Sequence, residues 1–423
     1  MTQTPEPTEA GGPAIRTPSP SRPWQGRRVV LGVAGGIAAY KSVQLARDLT
    51  QLGALVDVVM THAAAEFVGA ITFEALTGRP VHTQLIAEGG ALDHIRLARE
   101  ADTLCVAPAT ADLLARAAQG RADDLLTAIL LATRAPVLLC PAMNDRMWEH
   151  AQTQANVSHL RTLGYHIVGP ATGPLAQGEG AGPGRMEEPE VIVQHIGRAL
   201  GAQNGLVGRK IVVTAGPTRE PVDAVRVLSN RSSGRMGYAL AAAAWRRGAR
   251  VVLISGPVGI VPPVGPELVR VETAEQMKLA VSAAIADADA LIMAAAVADF
   301  RPAQPAGGKI KKSTGTPALP LEPTPDVLQE TRAQRAPGLR VIGFALETDQ
   351  HIDNARRKLN EKALDLIILN DATEPGAGFE VETNRVTILD RAGRQEALPL
   401  QSKQDVAEAI LDRVIPLLAT PHA

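Results

Sequence analysis

Short apolar runs alternate along this chain with longer amphipathic stretches. In the first half the runs are Val29–Val33, Leu55–Met60, Thr103–Ala107, Val137–Cys140 and His166–Val168. Between them, residues spaced for one helix face lie around Ala38–Leu52, Ala111–Ala118 and Asp145–Leu163. Strands so short and so continuously apolar are buried on both faces. The pattern predicts an α/β unit with a doubly wound, mainly parallel sheet. The second half repeats it. Strands are expected at Ile211–Ala215, Val251–Ser255, Ala290–Ala296, Val341–Ala345 and Leu366–Asn370. Helices are expected at Arg235–Arg247, Ala274–Ala286, Ile352–Glu361 and Gln404–Leu418, with Val381–Leu389 as an added antiparallel edge strand. The halves share a fold type without detectable sequence repetition.

The breaks in this pattern set the expected domains. Residues 1–25 are rich in Pro, Thr, Ser, Gly and Glu and read as a disordered tail. A first domain spans 26–200, a linker 201–208 and a second domain 209–423. Inside the first, Gly169–Pro189 is Gly/Pro-rich and reads as a mobile flap. A length of 423 residues suits two domains. Aromatics are only 3%, so the cores must be built from Val, Leu, Ile and Ala. A net charge of −1 gives no electrostatic reason to expect nucleic acid or an anionic membrane. Cys105 and Cys140 both sit in apolar runs, too few for a disulfide framework or a paired-Cys zinc site. A reducing, cytoplasmic setting fits. No stretch reaches the roughly 18 apolar residues that span a bilayer.

Each half opens with a strand, a glycine turn and a helix. Gly32-Val33-Ala34-Gly35-Gly36-Ile37 is the first such turn and Thr214-Ala215-Gly216-Pro217-Thr218-Arg219 the second. Backbone N–H groups at such a turn suit phosphate, although a tight turn needs no ligand. Neither is a G-x-G-x-x-G fingerprint, and no P-loop occurs. Ala107-Pro108-Ala109-Thr110 and Pro141-Ala142-Met143-Asn144 follow buried strands, at the carboxyl ends where open α/β sheets bind ligands. Asn144 suits a substrate carboxylate and equally suits an N-cap for the helix from Asp145. His94 is a base or a structural histidine.

Taken together, Gly35–Lys41, Asp93–Leu97, Ala107–Asp112, Pro141–Asn144 and Gly182–Met186 resemble the flavin-dependent cysteine decarboxylases, in particular phosphopantothenoylcysteine decarboxylase. The resemblance implies a Rossmann/flavodoxin-like sheet with FMN at Gly35, Gly36, Ile37, Thr61, Pro108, Ala109 and Thr110. It implies His94 as base and Asn144 as carboxylate holder. Flavin oxidation of the cysteine Cα–Cβ–S unit gives the departing carboxylate an electron sink, and the enethiol left behind is protonated and reduced. The chain departs from this family in two places. Ala34 replaces a usual serine. The flap reads Leu175-Ala176-Gln177-Gly178-Glu179-Gly180, with no cysteine to protonate the enethiol. Gln177 or Gly178 stands at that position, and Glu179 or a water is left to donate.

In the second half, small and hydroxylated residues precede the helix at Arg235, which fits an anion-binding or simply Ser-capped terminus. Asp299 follows a strand and suits magnesium. Lys309–Lys312 and the pair Lys358/Lys362 are cations that default to solvated surface. In order, Gly216–Glu220, Ser229–Gly237, Ala295–Asp299, Lys309–Lys312, Thr324–Asp326, Gly343–Ala345 and Asn370–Asp371 resemble phosphopantothenate–cysteine ligase and the bacterial bifunctional enzymes that fuse it to the decarboxylase. The resemblance implies CTP and Mg2+, with the carboxylate of 4′-phosphopantothenate attacking the α-phosphate and cysteine then attacking the acyl-cytidylate. It implies Asn230 and Arg226 on the acyl intermediate and Lys309 in cysteine transfer. It implies Ala295, Asp299, Thr324, Pro325, Asp326, Phe344, Lys358 and Lys362 on CTP, with Thr324 where relatives often have Asn. It also implies a homo-oligomer, with trimer contacts in the first half and dimer contacts in the second. The rival reading is a ligase whose first half is an inactive or regulatory flavoprotein domain.

Overall fold

The computed structural model describes residues 22–86, 90–201, 205–311, 318–347, 351–371 and 381–419. The first sheet is built from β1 (Arg28–Val33), β2 (Leu55–Met60), β3 (Thr103–Ala109), β4 (Val137–Pro141) and β5 (His166–Ile167), in the order β2-β1-β3-β4-β5. Every pair in it is parallel. The helices are α1 (Ala39–Gln51), α2 (Ala70–Thr77), α3 (Asp93–Glu100), α4 (Ala111–Ala118), α5 (Leu125–Ala132), α6 (Asp145–Glu149) and α7 (Ala151–Thr162). A hairpin of β6 (Ala171–Pro174) and β7 (Ala181–Arg185) and helix α8 (Pro189–Gly201) complete this half. Leu45 and Leu49 of α1 pack with Ile192 and Ile196 of α8 on one face of the sheet. Leu97, Leu113, Ile129 and Val157, from α3, α4, α5 and α7, pack on the other. Both faces of the strands are therefore apolar, which is why the runs show no alternation.

The second half contains β8 (Lys210–Ala215), a hairpin of β9 (Arg219–Pro221) and β10 (Val227–Ser229), α9 (Arg235–Arg246), β11 (Arg250–Ser255), β12 (Glu267–Arg270), α10 (Ala274–Ala284) and β13 (Ala290–Met293). Then come a hairpin of β14 (Phe300–Pro302) and β15 (Leu321–Pro323), α11 (Val327–Glu330), β16 (Arg340–Glu347), α12 (His351–Glu361) and β17 (Leu366–Asp371). Last are β18 (Thr383–Asn384), β19 (Val386–Asp390), β20 (Gln395–Ala397), β21 (Gln401–Ser402) and α13 (Lys403–Ala419). The sheet order is β12-β11-β8-β13-β16-β17-β19-β20. It is parallel up to β17 and antiparallel beyond. Helices α9 and α13 cover one face, and α10, α11 and α12 the other.

Four expectations need correction. Val386–Asp390 is antiparallel as expected, but β20 lies outside it and forms the edge. The helix expected over Asp145–Leu163 breaks at His150, whose backbone is extended (φ −60°, ψ 131°) and whose Nδ1 accepts from Gln152 N at 3.1 Å. The flap is a paired hairpin. Finally, ordered packing begins before Gly26: Trp24, expected in the tail, is buried in the core under α8. Residues 1–21 of that tail lie outside the described residues.

Candidate functional sites

In a 2-1-3-4-5 sheet the connections diverge between β1 and β3, and their carboxyl ends open a crevice. A cavity of about 900 Å³ lies there. Gly35, Gly36, Ile37, Thr61, Thr110 and Asn144 line it, as do Ala34, Lys41 and Arg116. The turn after β1 lies tight against the segment after β2: a Cβ at Gly35 would sit 2.4 Å from that of Ala63. A Cβ at Gly36 would meet only Thr110, at 3.8 Å, so that side of the turn stays open. Ala38, at the N-terminus of α1, offers no side-chain cap, and the N–H groups of Ala39 and Lys41 turn back to Gly36 O and Ala38 O, both at 3.0 Å. Thr61 and Thr110 each accept a backbone N–H at 3.3 Å, starting the turns that edge the cavity. Pro108 and Ala109 lie inside β3, and neither lines the cavity.

Two charged groups in this cavity carry more than their sequence context suggested. Lys41 is 8% exposed, and its Nζ donates to Met186 O at 3.1 Å and Glu188 Oε1 at 2.8 Å. The hydrogen bond from Lys41 holds the Glu188 carboxyl below its ordinary range. Burial resists the charge on Arg116, but hydrogen bonds to Asp124 and Asp123 overcome it and hold the guanidinium above its ordinary pKa. Asn144 caps α6 by accepting from Arg146 N at 2.9 Å and also lines the cavity.

The flap hairpin is fastened beside Asn144. Met143 N donates to Gly184 O at 3.0 Å, and a Cβ at Gly184 (φ +144°) would sit 2.2 Å from Met143 O. Of the three flap positions named for proton donation, Glu179 lines the cavity and Gln177 and Gly178 do not. Cys105 and Cys140 are fully buried in β3 and β4 with their sulfurs 3.9 Å apart. The bond from Cys105 and burial push the Cys140 thiol up.

His94 is not brought to Asn144. It lines a separate apolar recess of about 430 Å³ with Leu85, Ile86, Ala128 and Leu131. Its Nδ1 is buried without a hydrogen-bond partner. The residues around it are unusually bare: Ile86, Leu92 and Leu131 are 82%, 69% and 61% exposed.

In the second half a cavity of about 590 Å³ gathers Asn230, Ala295, Asp299, Thr324, Pro325, Asp326, Phe344, Lys358 and Lys362. Asn230 Nδ2 donates to Ala296 O at 3.2 Å and Val297 O at 3.1 Å, which fixes its amide against the end of β13. Lys362 pairs with Asp326 at 3.1 Å. Asp326 also caps α11, accepting from Leu328 N and Gln329 N. Gly234 (φ +76°) starts α9 without a side-chain cap. Beside it Arg235, absent from the expected set, lines the cavity with its Nε buried and unpartnered. Lys403 lines it too, and burial, then the nearby Arg235, lowers its pKa. Among the described residues no three or more His, Cys, Asp or Glu are grouped to hold a metal unaided.

Arg226 and Lys309 lie outside this cavity's lining. They are neighbours of each other instead. Arg226 pairs with Asp223 at 2.5 Å and donates from Nη2 to Ile310 O at 2.8 Å, next to Lys309. Lys312 lies outside the described residues.

Each half is thus an α/β unit built on a mainly parallel sheet, with a crevice at the carboxyl ends of its strands. A Flavoprotein family model matches residues 17–201. A model described as "DNA/pantothenate metabolism flavoprotein C-terminal domain" matches 206–417. The coenzyme A biosynthesis bifunctional protein CoaBC of Mycobacterium tuberculosis is 48% identical over 408 residues, 93% of this chain and 97% of that one. Its Vibrio cholerae counterpart is 45% identical over 390 residues, 91% and 97% of the two chains. Among solved structures, the C-terminal domain of a CoaBC is 37% identical at TM-score 0.44, covering 51% of this chain and 99% of that chain. The chain belongs to the CoaBC family of bifunctional coenzyme A biosynthesis enzymes, which join phosphopantothenoylcysteine decarboxylase and phosphopantothenate–cysteine ligase.

Proposed function

We propose that residues 209–423 ligate cysteine to 4′-phosphopantothenate with CTP and Mg2+, and that residues 26–200 decarboxylate the product with FMN, the two joined by 201–208. The observation that carries this reading is that each crevice gathers most of its expected binding residues at one sheet's carboxyl end. In the first, Gly35, Gly36, Ile37, Thr61 and Thr110 hold FMN, with Pro108 and Ala109 shaping the strand end behind them. Bound FMN supplies reversible two-electron oxidation of the cysteine unit. Asn144 holds the substrate carboxylate, and His94 is the base. Because His94 faces a different recess, a second copy must bring it to Asn144. The bare apolar surface around it supports a trimer built on that face.

In the second crevice, Lys358, Lys362 and Phe344 hold the nucleotide beside Ala295 and the Thr324-Pro325-Asp326 turn. The unpartnered Nε of Arg235 and the open N-terminus of α9 suit a phosphate. Asp299 would supply a carboxylate to Mg2+, whose charge would stabilise the nucleotide phosphates. Asn230 and Arg226 position the acyl-cytidylate, and Lys309 serves attack by the cysteine amine. This half dimerises. We place the protein in the cytoplasm, with its substrates. The two buried free thiols suit that compartment, and no helix among the described residues is long and apolar enough to cross a membrane.

A second reading keeps the ligase and stalls the first half, because the flap has no cysteine. Glu179 is the donor under the first reading. Mass spectrometry after incubation with 4′-phosphopantothenate, cysteine, CTP and Mg2+ separates them. Full turnover gives 4′-phosphopantetheine. Accumulated phosphopantothenoylcysteine or its decarboxylated enethiol selects the second reading. Absence of both product and pyrophosphate rejects the CTP ligase.

A further inference from the structure

The turn between β9 and β10 is organised around one carboxylate. The side chain of Asp223 has no exposed surface. Its Oδ1 accepts from Val225 N and Arg226 N, both at 2.8 Å, which closes the turn. Its Oδ2 does something different. It accepts from Arg226 Nε at 2.8 Å and Nη2 at 2.5 Å, and from Ile310 N at 3.1 Å, 87 residues further along. Arg226 Nη2 then donates to Ile310 O at 2.8 Å. Both polar groups of the Ile310 backbone are thus held by one Asp–Arg pair. A second tie, Ala306 N to Val222 O at 3.0 Å, fastens the same loop to the same turn. These donors, the Arg226 side chain first, hold the carboxyl well below the usual carboxylate range.

A carboxylate needed only for the turn would use Oδ1 alone. The second oxygen ties Arg226 to the backbone beside Lys309, and neither residue lines the nucleotide cavity. We propose that Asp223 is a positioning residue of the ligase half: it holds Arg226 and the Lys309 loop in one register, so that cysteine transfer occurs where the acyl intermediate is bound. This inference rests on the roles proposed above for Arg226 and Lys309.

Asp223→Asn tests it in the full chain. The amide oxygen can still close the turn, while its NH2 would face the N–H groups of Ile310 and Arg226, donor against donor. Single-turnover pyrophosphate release reads the first half-reaction, and conversion of the accumulated acyl-cytidylate on adding cysteine reads the second. Transfer, which needs both Arg226 and Lys309, should slow about 10- to 100-fold, and pyrophosphate release, which needs Arg226 alone, by a smaller factor. Ile310→Pro, which deletes the N–H that Asp223 accepts, should show the same split. In a Lys309→Gln background, Asp223→Asn should cost less than about 3-fold more, because both act on one step. An equal cost in both backgrounds, or equal slowing of the two half-reactions, overturns the inference and leaves the ligase reading standing. Native transfer rates in Lys309→Gln alone overturn the inference together with the role of Lys309. Absence of pyrophosphate from the native chain removes the CTP reading itself.

Discussion

The two halves solve the same problem differently. Each opens a crevice at the carboxyl end of a mainly parallel sheet, and in each most of the groups expected to hold ligand converge there. They differ in where the expected chemical groups lie. In the second half Arg226 and Lys309 sit beyond the cavity, but one buried carboxylate ties them together within the chain. In the first half His94 sits in its own apolar recess, apart from the cavity that Asn144 lines. Strand ends place binding groups reliably because the sheet fixes them. Groups on a helix such as α3 or on a hairpin turn need a further tie; one tie here lies within the chain, and the other is the second copy proposed above.

The sharpest way to break this contrast is complementation. His94→Asn and Asn144→Ala should each lose decarboxylation by about 100- to 10,000-fold, the range of general acid–base contributions. Mixing the two and allowing subunits to exchange should restore part of the rate, because some cavities then combine an intact Asn144 with an intact His94. Leu131→Glu, which charges the bare recess, should dissociate the complex in light scattering and stop decarboxylation while ligation continues. If the mixture stays inactive and Leu131→Glu decarboxylates normally, His94 serves its own cavity.

A smaller effect should separate the halves from the other side. Gly35→Val drives a branched side chain into Ala63, where even a Cβ lies at 2.4 Å. Overpacking of this kind costs about 1–3 kcal/mol, so flavin affinity should fall about 10- to 100-fold. Flavin absorbance of the purified chain, read beside pyrophosphate release, checks it. Loss of both signals would mean that the halves fold as one unit.

The residues legible in the sequence were those whose signal is local. The apolar runs of β1, β3, β8 and β13 marked buried parallel strands because nothing polar interrupts them. Gly35 and Asn144 stood out by residue type and by position after a strand. Helix α5 was missed because Leu125–Leu130 is buried throughout, so it carries no helical period. Hairpin strands of three residues, as in β9 and β10, are too short for alternation to register. The displacement of His94 was invisible because it depends on which face of α3 meets α5. In the sequence Lys41 is only the end of the Gly35–Lys41 motif. Its burial depends on Met186 and Glu188, about 145 residues away. Arg235 could have been found: a cation opening a helix behind Ser232-Ser233-Gly234 is a local signal for an anion.

The Lys41–Glu188 pair gives the finest test of the contrast, because Lys41 lines the first cavity and its carboxylate partner lies in the same copy. Glu188 has a lower pKa in the folded chain than in the unfolded chain, chiefly through its bond from Lys41. Its contribution is therefore fully present above the ordinary glutamate value and is lost as pH falls through the folded value. Flavin retention should be flat from neutrality down to about pH 4.5 and weaken below it. The effect must be small, about 2- to 3-fold in affinity, because Glu188 is half exposed and water screens the pair. Glu188→Gln keeps a hydrogen-bond acceptor for Lys41 but has no charge to lose, so its acid limb should be shallower than the native one. Flavin fluorescence on release, titrated for both proteins, reads the difference. Superimposable curves would show that the pair does not hold the cavity, and that the flap hairpin depends on its backbone bond to Met143 instead.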